Sequence, residues 1–232
     1  MGILNLTPDS FYDGGVHNEI NKIEDHVNKM VNDGMDILDI GGYSSKPGAK
    51  NISVDEELSR VIPILKHIRK IFPELVISID TFRSKIASAS LNEGADIIND
   101  ISGGTLDKNM MSIVAKNNCP YILMHMQGNP QNMQNDPSYE NVTLEIIQYL
   151  AQRIKIAHDN NIVDIIVDPG FGFGKTLKHN FEILNNLEKF NVLDTPILAG
   201  FSRKSMIYKT LKTSSKKALN GTSSLNTIAL MK

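Results

Sequence analysis

Asn5, Asp39, Asp80, Asn99, His125 and Asp168 each stand at or near the C-terminal end of a short apolar run such as VISID or IIVD. Runs of that kind make the strands of a parallel sheet. Side chains that interrupt the apolar pattern at the same end of every strand meet at one mouth. Acids and amides gathered there can hold the hydrogen-bond donors of a ligand or handle protons, so a binding or catalytic site is expected at that end. Asn and Asp also open turns for local reasons, so it is the set, not any single residue, that points to a site.

Four connecting segments carry further chemistry. TPDSFYDGG, from Thr7, is long for a strand-to-helix loop and puts an aromatic, Phe11, among turn formers, as a closing lid would. GGYSSKPG, from Gly41, offers hydroxyls, a cation and glycine hinges. In DPGFGFGKT, from Asp168, the end resembles a phosphate-binding loop, but Pro169 stands where that motif needs glycine and removes an N–H, which argues against a nucleoside triphosphatase. In FSRKS, from Phe201, Arg203 and Lys204 lie at the start of a helix, against its dipole. An anionic or carbonyl-bearing ligand would resolve that conflict.

The elements that must place these residues follow from periodicity. Strands are expected at 1–6, 37–40, 76–80, 97–99, 121–124, 165–168 and 197–199. Helices are expected near 19–33, 54–72, 84–93, 108–117, 142–160, 179–190, 203–211 and 218–231, with a kink at Pro63 and left-handed caps at Gly34, Gly94 and Asn160. This alternation predicts an α/β fold, a (β/α)8 barrel with seven strands and the eighth missing at the C-terminus. The expectation is one domain over residues 1–232, part of a longer chain.

The 24 basic and 26 acidic residues give a net charge of −2 without long like-charged runs, which speaks against nucleic-acid or membrane-surface binding. No apolar run approaches the ~20 residues of a membrane span, and no secretory leader is visible. The single cysteine, Cys119, excludes an internal disulfide framework and suits a reducing, cytoplasmic setting.

TPDSFYDGG, GGYSSKPG, ISIDT, IINDISGG, LMHMQGNP, DPGFGFGK and FSRKSM occur in that order through nearly the whole chain. Together they resemble the bacterial dihydropteroate synthases, barrel enzymes that condense 6-hydroxymethyl-7,8-dihydropterin pyrophosphate with 4-aminobenzoate in folate biosynthesis, releasing pyrophosphate. The resemblance implies a pterin pocket of Asp80, Asn99, Met124, Asp168, Phe173 and Lys204, with Lys204 and Asp80 the catalytic pair. It implies Mg²⁺ as cofactor, with Asn5 as its ligand. For 4-aminobenzoate and the loops it implies Thr7, Pro8, Phe11, Ser45, Lys46, Pro47 and Ser202, and for the whole protein a homodimer. Departures are Tyr43, Ser45 and Lys46, where the family usually has Glu, Thr and Arg, and the lack of any match to the Arg and His of the family's eighth strand. A non-catalytic pterin-binding paralogue and a pterin-dependent methyltransferase are the alternatives, the latter disfavoured by TPDSF and SRK.

Overall fold

A computed structural model of the chain describes residues 1–6, 16–45, 50–133 and 136–232, and for residues 16–19 the backbone alone. Six parallel strands lie side by side in chain order. They are β1 (Gly2–Asn5), β2 (Ile37–Gly41), β3 (Val76–Asp80), β4 (Ile97–Asp100), β5 (Tyr121–Met124) and β6 (Ile165–Asp168). Helices α1 (Val16–Asn32), α2 (Val54–Ile71), α3 (Ser84–Asn92), α4 (Met110–Asn117) and α5 (Val142–Asp159) alternate with them. After β6 come α6 (Leu177–Asn185), a 3₁₀ turn at Leu187–Leu193, α7 (Ser205–Thr210), a short 3₁₀ turn at Ser215–Lys217 and α8 (Leu219–Leu230).

Strand alternation divides the sheet into two faces. Leu38, Ile40, Ile77 and Ile79 pack in the core with the stripe Val61, Leu65 and Ile68 of α2. Asp39, Ser78 and Asn99 face the other way, where Ser78 and Asn99 both donate to Asp39. Register carries this face across the sheet: Asn5 pairs with Gly41, Gly41 with Asp80, and Asp80 with Asn99. The polar residues at the strand ends thus share one level.

The helices begin where local chemistry places them. Ser53 accepts from Glu56 N at 3.1 Å to start α2, and Asn141 accepts from Leu144 N at 3.0 Å to start α5. α2 runs unbroken through the exposed Pro63. Gly34 and Gly94 take the left-handed conformation expected of them, with φ 89° and 92°. Asn160 does not: its φ is −95°, and the reversal falls one residue later on Asn161 at φ 65°.

The seventh strand is the main correction. Segment 197–199 forms a single parallel bridge, Val167 with Ile197, supported by Val167 N donating to Pro196 O at 2.9 Å and Leu198 N donating to Val167 O at 2.8 Å. Pro196 has no N–H to contribute, and among the described residues no strand pairs with the far side of this segment, so the ladder does not propagate. The helix expected over 179–190 splits into α6 and the 3₁₀ turn.

One buried ion pair fastens the second strand-to-helix connection to the third. Glu57 of α2 is fully buried; Thr81 Oγ1 donates to its Oε1 and Arg83 Nη1 to its Oε2, both at 2.8 Å. Arg83 also donates to Ile52 O at 2.7 Å and lies over the Tyr43 ring, 5.3 Å from its centre. Replacing Arg83 with Met strands a buried carboxylate and is expected to cost about 3 kcal/mol of stability in denaturant unfolding. The double variant Glu57→Gln/Arg83→Met should lose clearly less than the sum of the two single variants. Additive losses would show that the pair is not coupled.

Candidate active site

Four aspartates stand at or near the C-terminal ends of the strands, Asp39 and Asp100 buried and Asp80 and Asp168 half-buried, and they differ in how many donors reach them. Asp100 accepts from Ser102 N, Ser102 Oγ, Gly104 N and Tyr121 Oη at 2.7–2.9 Å, which shapes the β4–α4 turn. Asp39 accepts from Ser78 Oγ at 2.7 Å and Asn99 Nδ2 at 3.1 Å. Asp168 accepts from Gly170 N at 2.7 Å, and the charges of Lys204 and Lys175 act on it. Asp80 is half-buried and accepts from no group among the described residues.

Electrostatics follow that order. Burial, then the negative charge of Asp39, Glu57 and Asp100, pushes Asp80 well above the usual carboxylate range. Burial also raises Asp168, outweighing the attraction of Lys204, and burial lowers the Lys204 ammonium against the pull of Asp168. Asp168 and Lys204 are thus both half-buried and near enough for the charge of each to act on the other.

The turn after β6 carries this pair. Gly170 has φ 71°, and a methyl group there would sit 2.0 Å from His125 O, so only glycine lets the turn cross the end of β5 this closely. Beneath the turn Lys175 is buried, donating to Phe173 O at 2.9 Å and lying 3.0 Å from His125 Nδ1. Burial, then the Lys175 charge, holds His125 down at about 3, so the imidazole is neutral and its Nδ1 accepts. The lysine of the phosphate-loop lookalike is therefore a structural plug, in keeping with the missing glycine.

Lys204 Nζ donates to Phe171 O and stands 5.1 Å from the centre of the Phe173 ring. Phe173 packs with Phe82 on a small cluster of Ile101, Met124, Met126 and Met133, separate from the main core. Asp80, Asn99, Met124, Asp168, Phe173 and Lys204 are in this way gathered at one end: Asp80 pairs with Asn99, Met124 with Asp168, and Phe173 bridges Met124 to Lys204. Arg203 turns away, donating to Lys216 O at 2.5 Å, so protein carbonyls answer the cations near the start of α7.

Ser45 is half-buried and Ser202 exposed. Thr7, Pro8, Phe11, Lys46 and Pro47 lie outside the described residues. Tyr43 is buried, edge-on to Phe82 at 5.0 Å between ring centres, and its hydroxyl accepts from Gln131 Nε2 at 2.7 Å. Sequence reasoning noted Asp39 and His125 as strand-end residues without a role and saw Lys175 only in the failed phosphate motif. Asp39 stands two residues before Gly41, in phase with it, which is the signal that could have added it to the site.

For a metal, the described residues hold no group of three or more His, Cys, Asp or Glu that converge. Asn5 is exposed at the end of β1, and its oxygen and that of Asp80 both flank Gly41: a methyl group there would lie 3.6 Å from Asn5 Oδ1 and 3.4 Å from Asp80 Oδ2. That donor set fits a hard cation taking one or two protein oxygens and most of its shell from phosphate and water. A cavity of about 400 Å³ at the opposite end of the sheet, lined by Val76, Ile97, Asn118, Cys119 and Pro120 among others, has no comparable convergence of groups. Burial pushes its Cys119 thiol up to about 11, which leaves no thiolate for chemistry near neutral pH.

The chain matches the pterin binding enzyme family over residues 1–232. It is 44% identical over 234 residues to a dihydropteroate synthase of Clostridium beijerinckii, covering 100% of this chain and 84% of that protein. The crystal structure of the Yersinia pestis dihydropteroate synthase with a sulfonamide drug complex superposes with a TM-score of 0.92 at 38% identity, covering 99% of this chain and 84% of the other. The Xanthomonas albilineans dihydropteroate synthase with 4-aminobenzoic acid gives 0.90 at 36% identity, covering 98% and 82%.

The Asp80 carboxyl, without a donor among the described residues, leads to a stability prediction. Its folded-state pKa is raised, so the folded protein holds a proton there that the unfolded chain has given up, and the group costs stability increasingly as pH rises through that raised value. Asp80→Asn is therefore expected to melt a few degrees higher than the wild type near pH 7, with the gap closing toward pH 4. Calorimetry across that range decides it. A variant that melts lower at pH 7 would mean that the carboxylate has a partner holding it in the charged form.

Proposed function

The chain belongs to the dihydropteroate synthase family of pterin-binding enzymes, and from that premise we propose how its own residues divide the transfer between them. These are transferases of folate synthesis: the amine of 4-aminobenzoate attacks the exocyclic CH₂ of 6-hydroxymethyl-7,8-dihydropterin pyrophosphate. The C–N bond forms, the C–O bond to pyrophosphate breaks, and the nitrogen gives up its proton. The nucleophile is already neutral, so the protein has little acid or base work to do. It must hold the ring, stabilise its developing positive charge and exclude water.

The observation that supports this reading most is the placement of half-buried Asp168, at the end of β6, near Lys204, whose Nζ is held by Phe171 O over the Phe173 ring. A pterin edge is a row of N–H donors beside a carbonyl. Asp168 would accept two parallel N–H bonds, and Lys204 would face the carbonyl and ring-nitrogen side. Asn99 would take a further position on that edge. Met124 and Phe173 would contact the ring faces. Asp80 has the task its isolation suits: a positive charge developing on the ring draws the carboxyl to its ionised form, so its stabilising effect grows as pyrophosphate leaves.

Asn5 would hold Mg²⁺, which when bound supplies charge neutralisation for the departing pyrophosphate. Thr7, Pro8, Phe11, Ser45, Lys46, Pro47 and Ser202 are assigned to 4-aminobenzoate and the loops over it, and Lys46 would give a charge without the planar fork of an arginine. A cytoplasmic setting is in keeping with a lone buried cysteine, and no helix among the described residues is long and apolar enough to cross a membrane.

Two measurements test the assignment. Incubating the protein with both substrates and Mg²⁺ should release pyrophosphate, and withholding either substrate should stop it. Asp168→Asn places a donor against the ring's N–H groups and is expected to weaken dihydropterin binding by about 1–3 kcal/mol in titration calorimetry. Unchanged affinity in that variant would remove Asp168 from the pocket, and dihydropterin binding without any pyrophosphate release would favour a non-catalytic binding protein.

A further inference from the structure

We infer that Asp39 is a positioning residue that orients the Asn99 amide and so selects a 2-amino over a 2-oxo ring, an inference that rests on the pterin reading above. Asp39 lies on β2, below the level of Asp80 and Asn99, and is only 5% exposed. Both of its oxygens are engaged, Oδ1 by Ser78 Oγ and Oδ2 by Asn99 Nδ2. Both oxygens act as acceptors in this arrangement. The amide beside it must therefore turn its NH₂ group downward and its carbonyl away from Asp39. Asn99 Oδ1 accepts no hydrogen bond among the described residues, and Asn99 remains half-buried at the mouth.

The consequence is a specificity filter set from beneath. A ligand group facing Asn99 Oδ1 has to be a donor. The amino group of a 2-amino-4-oxo ring is one, whereas a 2-oxo ring presents a second carbonyl and leaves two acceptors opposed. Asn99 on its own could not discriminate in this way, because a free amide rotates by half a turn and exchanges its donor for its acceptor at little cost. The carboxylate fixed below it removes that freedom. Ser78 holds the other oxygen of Asp39 and does not touch Asn99 directly, so it should matter less.

The experiment is calorimetric titration of the full chain with 6-hydroxymethyl-7,8-dihydropterin and with its 2-oxo counterpart, in the wild type, Asp39→Asn and Ser78→Ala. The wild type should prefer the 2-amino ring. Asp39→Asn, whose new amide can either donate or accept, should lower that preference roughly tenfold, the worth of about one hydrogen bond. Ser78→Ala should keep it, and the KM for 4-aminobenzoate should be the same in all three. An unchanged preference in folded Asp39→Asn, or an equal loss in Ser78→Ala, overturns the inference and leaves the pterin reading intact. Binding of neither ring by the wild type would sink the pterin reading itself. Should Asp39→Asn not fold, hydrogen exchange of the Asn99 side-chain amide in ¹⁵N-labelled wild type decides: one slowly exchanging proton is expected, and two fast ones overturn the inference.

Discussion

Carboxylates taken out of water have to find hydrogen-bond donors or opposite charge, and this molecule gathers four at one end of its sheet, Asp39 and Asp100 buried and Asp80 and Asp168 half-buried. The donors run out in a graded way. Asp100 is saturated and belongs to the scaffold, since its four bonds fold the β4–α4 turn and anchor the Tyr121 hydroxyl. Asp39 is satisfied by two side chains from two other strands. Asp168 has one backbone donor and the field of two lysines, and Asp80 has no donor among the described residues. Scaffold grades into site along this series, because a carboxylate left short of donors is one that a donor-rich ligand can complete.

The turn after β6 shows how closely the backbone is packed to achieve this. Gly170 lies against the carbonyl of His125, and Lys175 fills the space below by donating to the turn's own carbonyl at Phe173. A lysine buried without a bonded carboxylate is expensive; burial lowers it well below its usual range, and Asp168 partly offsets that. Its Nζ holds the turn in shape by its bonds to Phe173 O and His125. Lys204 acts on Asp168 from the segment after the Val167–Ile197 bridge, so two lysines on different elements stand near that carboxyl.

On the other side of the mouth, the segment after β2 is tied down by aromatic and cationic contacts. Tyr43 lies edge-on to Phe82, beneath the Arg83 guanidinium, and accepts from Gln131. Phe82 in turn packs on the methionine cluster that holds Met124. A residue that departs from its family's usual glutamate is thereby built into the wall of the site through packing. The Glu57–Arg83 pair below it ties the same wall to α2.

Much of the architecture was legible in the sequence because it is local. The apolar run VISID and the helix expected over 54–72 each depend on residues within a few positions of one another, and the structure has a strand at Val76–Asp80 and a helix at Val54–Ile71. Asp80, Asn99 and Asp168 stood out as acids and amides ending apolar runs, and they do share one end of the sheet. Tertiary structure decided what depended on distant partners. Segment 197–199 has strand composition, yet among the described residues no strand lies beyond it and its ladder stops at one bridge. Lys175 lies in a phosphate-like motif, and only the fold shows it buried on His125, 50 residues earlier in the chain. Asp39 reaches Ser78 and Asn99 across 39 and 60 residues. Periodicity tells which face a side chain takes, but a hydrogen bond between strands exists only once register brings donor and acceptor to the same level, and no local pattern encodes that meeting.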